Sequence, residues 1–191
     1  MGKEQSNKLQ LSEHDSALAH NHPFKEYLNS YRLPSPPNCR YGYIRFTSKQ
    51  EKYRCDLFGQ IWLPDEAHGT ILLAHGYCEH MGNYAELIHN FIEAGYAVIG
   101  MDQRGHGLSD GPRGHTDTPY LYAEDLTRFL ELVFPQILPN KPLYVWAHSM
   151  GALIALQVAL QNKYPKQPAA IVLSSPMLGY PEVYGMPKIS A

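Results

Sequence analysis

One serine in the sequence has the surroundings of a nucleophile. Ser149 lies in the segment Val-Trp-Ala-His-Ser-Met-Gly, and the small residues Ala147 and Gly151 stand two positions before and after it. Small residues there let a sharp strand-to-helix turn pass close to neighbouring backbone and expose the hydroxyl. A serine hydroxyl is a weak nucleophile, so it also needs a base and donors to the oxyanion that forms when it attacks a carbonyl carbon. The pattern indicates acyl transfer through Ser149.

Two backbone N–H groups are candidate donors to that oxyanion. Met150 lies at the start of the helix predicted after Ser149, where free N–H groups and the helix dipole favour negative charge. The second donor is expected from the loop that follows the first buried parallel strand, in which the Tyr77 N–H is the natural candidate.

Other reactive side chains near these loops are given structural roles. His75 is expected to bond loop carbonyls rather than to act as the base. His148 is expected to point away from Ser149, because consecutive side chains at a strand end point apart. Cys78 is expected to be a small loop residue, since no base or helix N-terminus is evident beside it.

The sequence after Ser149 holds no histidine that could activate it. The 42 residues that follow contain no His and no Asp, and their one acid is Glu182. Loss of a triad histidine can cost on the order of a millionfold in turnover, so this chain alone is expected to be nearly inactive.

Strands alternating with helices are predicted around these loops. Continuous apolar runs predict buried strands, and apolar positions at helical spacing predict helices, the first of which is stopped by Gly95. Pro135 is expected to disrupt the last turn of the second helix. The predicted elements are an antiparallel pair at 41–46 and 53–63, strands at 70–74, 96–101, 143–146 and 169–173, and helices at 84–94, 122–133 and 152–160. This order is typical of an α/β fold with a mostly parallel sheet and helices on both faces.

Composition and charge restrict the classes of function. A chain of 191 residues with 44% apolar residues and a net charge of −2 is typical of one globular domain and gives no reason to expect nucleic acid as a partner. Cys39, Cys55 and Cys78 form no CxxC pair, so neither a disulfide framework nor a zinc site is predicted. No segment has the pattern of a leader peptide or membrane span, which favours a cytoplasmic location. No metal or cofactor is expected, because the chemistry needs only the serine, a base and the donors.

Three motifs together resemble the α/β-hydrolase superfamily. They are HGYCEH at 75–80 with Tyr84, DQRGHGLSDG at 102–111, and HSMG at 148–151. More narrowly, they resemble the monoacylglycerol lipase and lysophospholipase group, also described as serine aminopeptidase S33-type hydrolases. The resemblance implies Ser149 as nucleophile, the Tyr77 and Met150 N–H groups as oxyanion donors, and the 102–111 loop as a structural support for the site.

The sequence departs from that group at several positions. Ala147 and Cys78 stand where the group often has Gly, and Asn83 stands where it often has Arg. Members of the superfamily place the acid and then the His of the triad downstream of the serine. We therefore interpret the chain as the N-terminal part of such a hydrolase, with an exposed apolar sheet edge. The predicted division is a polar extension at 1–38, the first part of the core at 39–175, and the start of a cap or linker at 176–191.

The expected function is hydrolysis of acyl esters, such as lysophospholipids or monoacylglycerols, through an acyl-enzyme on Ser149. The alternatives are a peptidase or acyltransferase on the same fold, or a non-catalytic module derived from a hydrolase. The expected partner is a small acyl ester or lipid substrate. A lipid substrate is compatible with peripheral contact with a membrane surface. The sequence indicates no oligomeric state.

Overall fold

A mixed β-sheet forms the centre of the structure. The computed structural model describes residues 12–13, 23–34, 39–46 and 55–179. The strands within these ranges are β1 (Ser12–Glu13), β2 (Arg40–Phe46), β3 (Cys55–Trp62), β4 (Gly69–Ala74), β5 (Tyr96–Met101), β6 (Leu143–His148) and β7 (Ala170–Ser174). The helices are α1 (Pro23–Tyr31), α2 (Ala85–Glu93), α3 (Tyr120–Ile137) and α4 (Ser149–Leu160), with a 3₁₀ turn at Met81–Tyr84 before α2.

The sheet has an antiparallel half and a parallel half. Its strand order is β1-β2-β3-β5-β4-β6-β7. The pairs β1–β2, β2–β3 and β3–β5 are antiparallel, whereas β5–β4, β4–β6 and β6–β7 are parallel. The predicted antiparallel pair and the predicted run of parallel strands are both confirmed. Because β4, β5 and β6 are parallel neighbours, the loops that follow them all lie at the end of the sheet formed by the carboxyl ends of these strands.

Helices cover both faces of the sheet, as predicted. On one face, α3 and α4 pack against inward-facing strand residues that include Leu72, Ile99 and Val145. On the other face, α1 and α2 pack against Leu73 and Val98. Strand β4 is buried along its whole length, which agrees with its continuous apolar sequence.

Glycine and proline act differently at the ends of the two central helices. Gly95 follows α2 with a φ of +78°, a backbone conformation that glycine adopts without steric cost, so the predicted helix stop is confirmed. The expectation that Pro135 disrupts α3 is wrong, because the helix continues through Pro135 to Ile137. Pro135 has no N–H to donate to the preceding turn, while Phe134 and Ile137 on either side of the proline are buried in the core.

Helix α1 lies within the segment predicted as a polar extension. Its Tyr27 and the following Leu33 are buried against the α2 side of the sheet. The sequence pattern predicts no helix here. The segment around α1 is polar overall, and a few side chains hold the helix to the core, with Leu28 packed against the same cluster and the Tyr31 ring 4.5 Å from the His80 ring.

The outer strand β7 is the least buried strand of the parallel half. Val172 is 53% exposed, and Leu160 at the end of α4 is 78% exposed. Within the described residues, β7 pairs only with β6, so its second edge is open. No helix in the part of the chain that the structure describes is both long and apolar enough to cross a membrane.

Candidate active site

Ser149 occupies a strained turn between β6 and α4. Its φ is +49°, a left-handed conformation that residues with a side chain rarely adopt. The preceding His148 is extended, and α4 begins at Ser149 itself. This geometry is the tight strand-to-helix turn that the sequence predicts. Among the described residues, the Ser149 hydroxyl has no hydrogen-bond partner.

The turn fits because α4 passes very close to the loop after β4. A Cβ atom added to Gly151 would lie 2.4 Å from both the Ala74 and the His75 carbonyl oxygens. Only glycine avoids this collision with backbone atoms. Ala147 is fully buried and pairs with Ala74 of β4 and Leu173 of β7, so an alanine methyl is accommodated at the first small position.

The loop after β4 lies directly beside the serine. A Cβ atom added to Gly76 would be 3.2 Å from Ser149 Cβ. The next residue, Tyr77, has no hydrogen-bond partner for its N–H among the described residues. The Met150 N–H belongs to the first turn of α4, where a helix offers no acceptor of its own. The structure thus brings together the three residues predicted for the site, Ser149, Tyr77 and Met150.

His75 is held in a fixed, uncharged state. Its Nδ1 lies 2.8 Å from the Gly76 carbonyl oxygen, and its Nε2 accepts from the Gln103 N–H at 2.8 Å. Both ring nitrogens are therefore engaged, with the proton on Nδ1. Complete burial lowers the pKa of His75 to about 3, so the imidazole stays neutral at physiological pH. This agrees with the structural role predicted for His75.

His148 and Cys78 also lack the surroundings expected of a catalytic base and a nucleophile. His148 Nδ1 lies 3.2 Å from Ser174 Oγ on β7. Cys78 is an exposed free thiol with a φ of +59°, a conformation that suits the glycine often present in similar loops.

The loop after β5, residues 102–111, is hydrogen-bonded to the segment that follows the Tyr77 loop. The buried Asp102 carboxylate accepts from the Met81 N–H and the Leu108 N–H, each at 2.9 Å. It therefore ties this loop to the turn that follows the Tyr77 loop. Burial raises the pKa of Asp102 to about 6, although both N–H donors act in the opposite direction.

Two further residues of the 102–111 loop connect it to its surroundings. Arg104 forms a buried bidentate ion pair with Asp125 of α3, with N···O distances of 2.6 and 2.8 Å. The His106 ring packs against the rings of His75 and Tyr77, with centroid distances of 5.6 and 5.5 Å. These contacts are consistent with the supporting role that the resemblance implies for this loop.

The sequence did not predict that Glu79 and Tyr84 stabilise the loop after β4, which lies beside Ser149. Glu79 Oε2 accepts from the Gly76 N–H at 2.8 Å and from the Tyr84 hydroxyl. Asn83, the position noted as a departure, accepts from the His80 N–H at 3.0 Å and thereby caps the 3₁₀ turn. The spacing Gly76-x-x-Glu79 is the one signal in the sequence that could have suggested the contact, because an acid three residues on can cap a backbone N–H.

Comparison with known proteins supports a hydrolase fold. The model of the family described as "Serine aminopeptidase, S33" matches residues 65–191. A solved structure of a soluble variant of monoglyceride lipase from Saccharomyces cerevisiae is similar, with a TM-score of 0.63 and 28% identity, over 76% of this chain and 48% of that one.

Two curated relatives give the same assignment. The chain is 39% identical over 117 residues to a monoacylglycerol lipase of Mycolicibacterium smegmatis, a match that covers 61% of this chain and 41% of the relative. It is 30% identical over 169 residues to a Haemophilus influenzae protein named "Probable lysophospholipase L2", covering 87% and 49%. The chain thus spans about half the length of the curated relatives it matches. It belongs to the serine aminopeptidase S33 family and has the α/β-hydrolase fold over the part of that fold that it spans.

Proposed function

We propose that the protein containing this chain is a serine hydrolase that cleaves carboxylic esters of lipids, such as monoacylglycerols or lysophospholipids, with Ser149 as nucleophile. The observation that carries the proposal is the strained Ser149 turn, which lies beside a loop whose Tyr77 N–H has no hydrogen-bond partner among the residues that the structure describes. The relatives named as monoacylglycerol lipase and lysophospholipase support the substrate class.

In this mechanism Ser149 Oγ attacks the ester carbonyl carbon while a base takes the hydroxyl proton. The N–H groups of Tyr77 and Met150 donate to the resulting oxyanion, a contribution that is typically large because the donors are already in place. The tetrahedral intermediate then collapses, and the alcohol leaves with the proton from the base. A water molecule, deprotonated by the same base, releases the fatty acid and restores the serine.

The base is proposed to come from outside the described residues. The two histidines nearest to Ser149 in the loops are engaged elsewhere: His75 is bonded through both ring nitrogens, and His148 Nδ1 lies beside Ser174 Oγ. A histidine contributed by another part of the protein would complete the site. For this reason we expect purified residues 1–191 to react weakly or not at all.

Labelling by a fluorophosphonate probe tests the proposal. The full-length protein is expected to be labelled, and Ser149→Ala is expected to abolish labelling and ester turnover, because the probe reacts with an activated serine. Ser175→Ala is the matched control, since Ser175 is exposed and also has a positive φ, of +44°. It is expected to label like the wild type.

The outcome also separates the alternatives. A full-length protein that gains no label at Ser149 contradicts the hydrolase and favours a non-catalytic module. Labelling combined with faster turnover of peptide amides than of lipid esters would instead favour the peptidase that the family description names.

A further inference from the structure

Glu79 holds the backbone immediately before the Tyr77 N–H. Its Oε2 accepts from the Gly76 N–H at 2.8 Å. The carboxylate is so close that a Cβ atom on Gly76 would lie 2.7 Å from the same oxygen. Gly76 has no side chain to restrict its backbone, so hydrogen bonds on both sides of it fix its orientation. Glu79 holds the Gly76 N–H, and His75 Nδ1 holds the Gly76 carbonyl oxygen, which shares a peptide plane with the Tyr77 N–H.

The Glu79 carboxylate is itself anchored to the strand that leads to Ser149. The Tyr84 hydroxyl donates to the same Oε2. The Tyr84 ring packs edge-on against Trp146 of β6, with a centroid distance of 5.5 Å. Burial and the Glu79 charge both raise the pKa of Tyr84, so its hydroxyl remains a proton donor. A chain of contacts therefore runs from Trp146 through Tyr84 and Glu79 to the Gly76 N–H.

A carboxylate close to an oxyanion would by itself be unfavourable, because like charges repel. Here its Oε2 lone pairs are occupied by two donors, one of which is the backbone of the loop beside Ser149. With the Gly76 N–H engaged by Glu79, the next N–H along the chain, that of Tyr77, is left without a partner among the described residues.

We infer that Glu79 is a positioning residue for catalysis, whose carboxylate sets the Gly76–Tyr77 backbone so that the Tyr77 N–H meets the oxyanion formed at Ser149. The inference rests on the proposed function. Glu79 touches neither the substrate nor the serine in this scheme, and acts through the backbone it holds.

Kinetics of Glu79 variants of the full-length protein test this role. With p-nitrophenyl butyrate as substrate, Glu79→Ala is expected to lower kcat about 10- to 100-fold with KM within about twofold, because a misplaced oxyanion donor affects mainly the transition state. The Ki of a trifluoromethyl ketone, which forms a tetrahedral oxyanion on the serine, is expected to rise by a similar factor.

Conservative variants and a matched control distinguish positioning from a general loss of folding. Glu79→Gln keeps an oxygen that can accept both hydrogen bonds, and is expected to retain at least about half of the wild-type kcat. Glu79→Asp shortens the side chain by one methylene and is expected to lower kcat about 10-fold. It keeps the test decisive if Glu79→Ala fails to fold. Glu86→Ala, which removes an exposed acid from α2, is expected to leave kcat unchanged.

Several results would overturn the role of Glu79. They are an unchanged kcat in Glu79→Ala or Glu79→Asp, a loss confined to KM or to thermal stability, and no recovery in Glu79→Gln. These results are distinct from failure of the proposed function, in which the wild type itself has no Ser149-dependent turnover.

Discussion

Strand β6 leads into Ser149 between two very different neighbours. On one side lies β4, which is buried along its whole length and leads into the loop that contacts Ser149. On the other side lies β7, where Val172 is 53% exposed and the second edge is open within the described residues. The two neighbours pair with β6 in the same parallel way, but they differ in packing.

The difference separates two kinds of support for the serine. On the β4 side, Gly76 and Gly151 allow the loop after β4 and the start of α4 to approach closely around Ser149. The Asp102 carboxylate holds the following segment through the Met81 N–H.

On the β7 side, Leu173 and Met177 are only partly buried against the core. Beyond the strand pairing, two hydrogen bonds reach the turn there, from the Met177 N–H to the Ser149 carbonyl oxygen at 3.1 Å and between Ser174 and His148. Substitutions on the inner side are therefore expected to disturb the turn far more than those on the outer edge.

The largest effect is expected from a methyl group added at Gly151, where α4 contacts the end of β4. Gly151→Ala would place Cβ 2.4 Å from two backbone carbonyl oxygens, which cannot move without shifting β4 or α4. We expect the free energy of unfolding to fall by about 3 kcal/mol or more, together with loss of fluorophosphonate labelling. Urea denaturation followed by circular dichroism measures the change.

Gly179→Ala is the matched control for this substitution, because nothing lies within 4 Å of the added Cβ. Its unfolding curve is expected to overlay that of the wild type. A Gly151→Ala protein of normal stability would mean that the inner side of the turn is as tolerant as the outer side.

A smaller effect on the free energy of unfolding is expected from protonation of His75, in the loop after β4. The pKa of His75 is about 3 in the folded protein, because of burial, and about 6.5 when the chain is unfolded. The unfolded state therefore binds more protons between these values, and the stability that neutral His75 contributes is present above pH 6.5 and lost as the pH falls below it. Between pH 6.5 and pH 5 we expect a loss of about 2 kcal/mol in the free energy of unfolding.

Urea denaturation across this pH range, compared with a His75→Asn variant, isolates the contribution of His75. The raised pKa of Asp102 gives a slope of opposite sign below pH 6, but it is present in both proteins and cancels in the comparison. His115→Gln, at an exposed histidine, is expected to keep the wild-type slope. A His75→Asn protein with the same slope as the wild type would show that His75 is not the group responsible.

The inner strands and the serine turn were predictable from sequence for the same reason. Strands buried on both faces require continuous apolar runs, and the turn requires small residues at 147 and 151, so the constraints are local and visible. The continuation of α3 through Pro135 was not visible, because burial of Phe134 and Ile137 outweighs the lost hydrogen bond.

Features held by single side chains were less predictable. Helix α1 is tied to the core in part by Tyr27, whose hydroxyl accepts from the Gly82 N–H at 2.7 Å across 55 residues of sequence. No periodic pattern marks such a contact. The hydrogen bond between Glu79 and Gly76 is local, but an acid three residues after a glycine is common, and only the fold places the pair beside Ser149.

The smallest effect is expected at the outer edge, and an isosteric pair of substitutions measures it. Val172 on β7 and Val145 on β6 are both strand valines, but Val145 is 1% exposed and Val172 is 53% exposed. Threonine has nearly the same shape as valine and the same preference for strands, so it tests mainly the cost of burying a hydroxyl. In the 191-residue chain we expect Val145→Thr to cost about 1–3 kcal/mol, and Val172→Thr to change the free energy of unfolding by less than about 0.5 kcal/mol.

Denaturation of both variants, in the 191-residue chain and in the full-length protein, would sharpen the contrast between the two sides of β6. Equal losses in the 191-residue chain would contradict the open edge described for β7. A Val172→Thr loss that appears only in the full-length protein would instead mean that another segment covers β7 there. In that case the outer side of Ser149 would be packed much like the inner side, with its contacts supplied from outside the described residues.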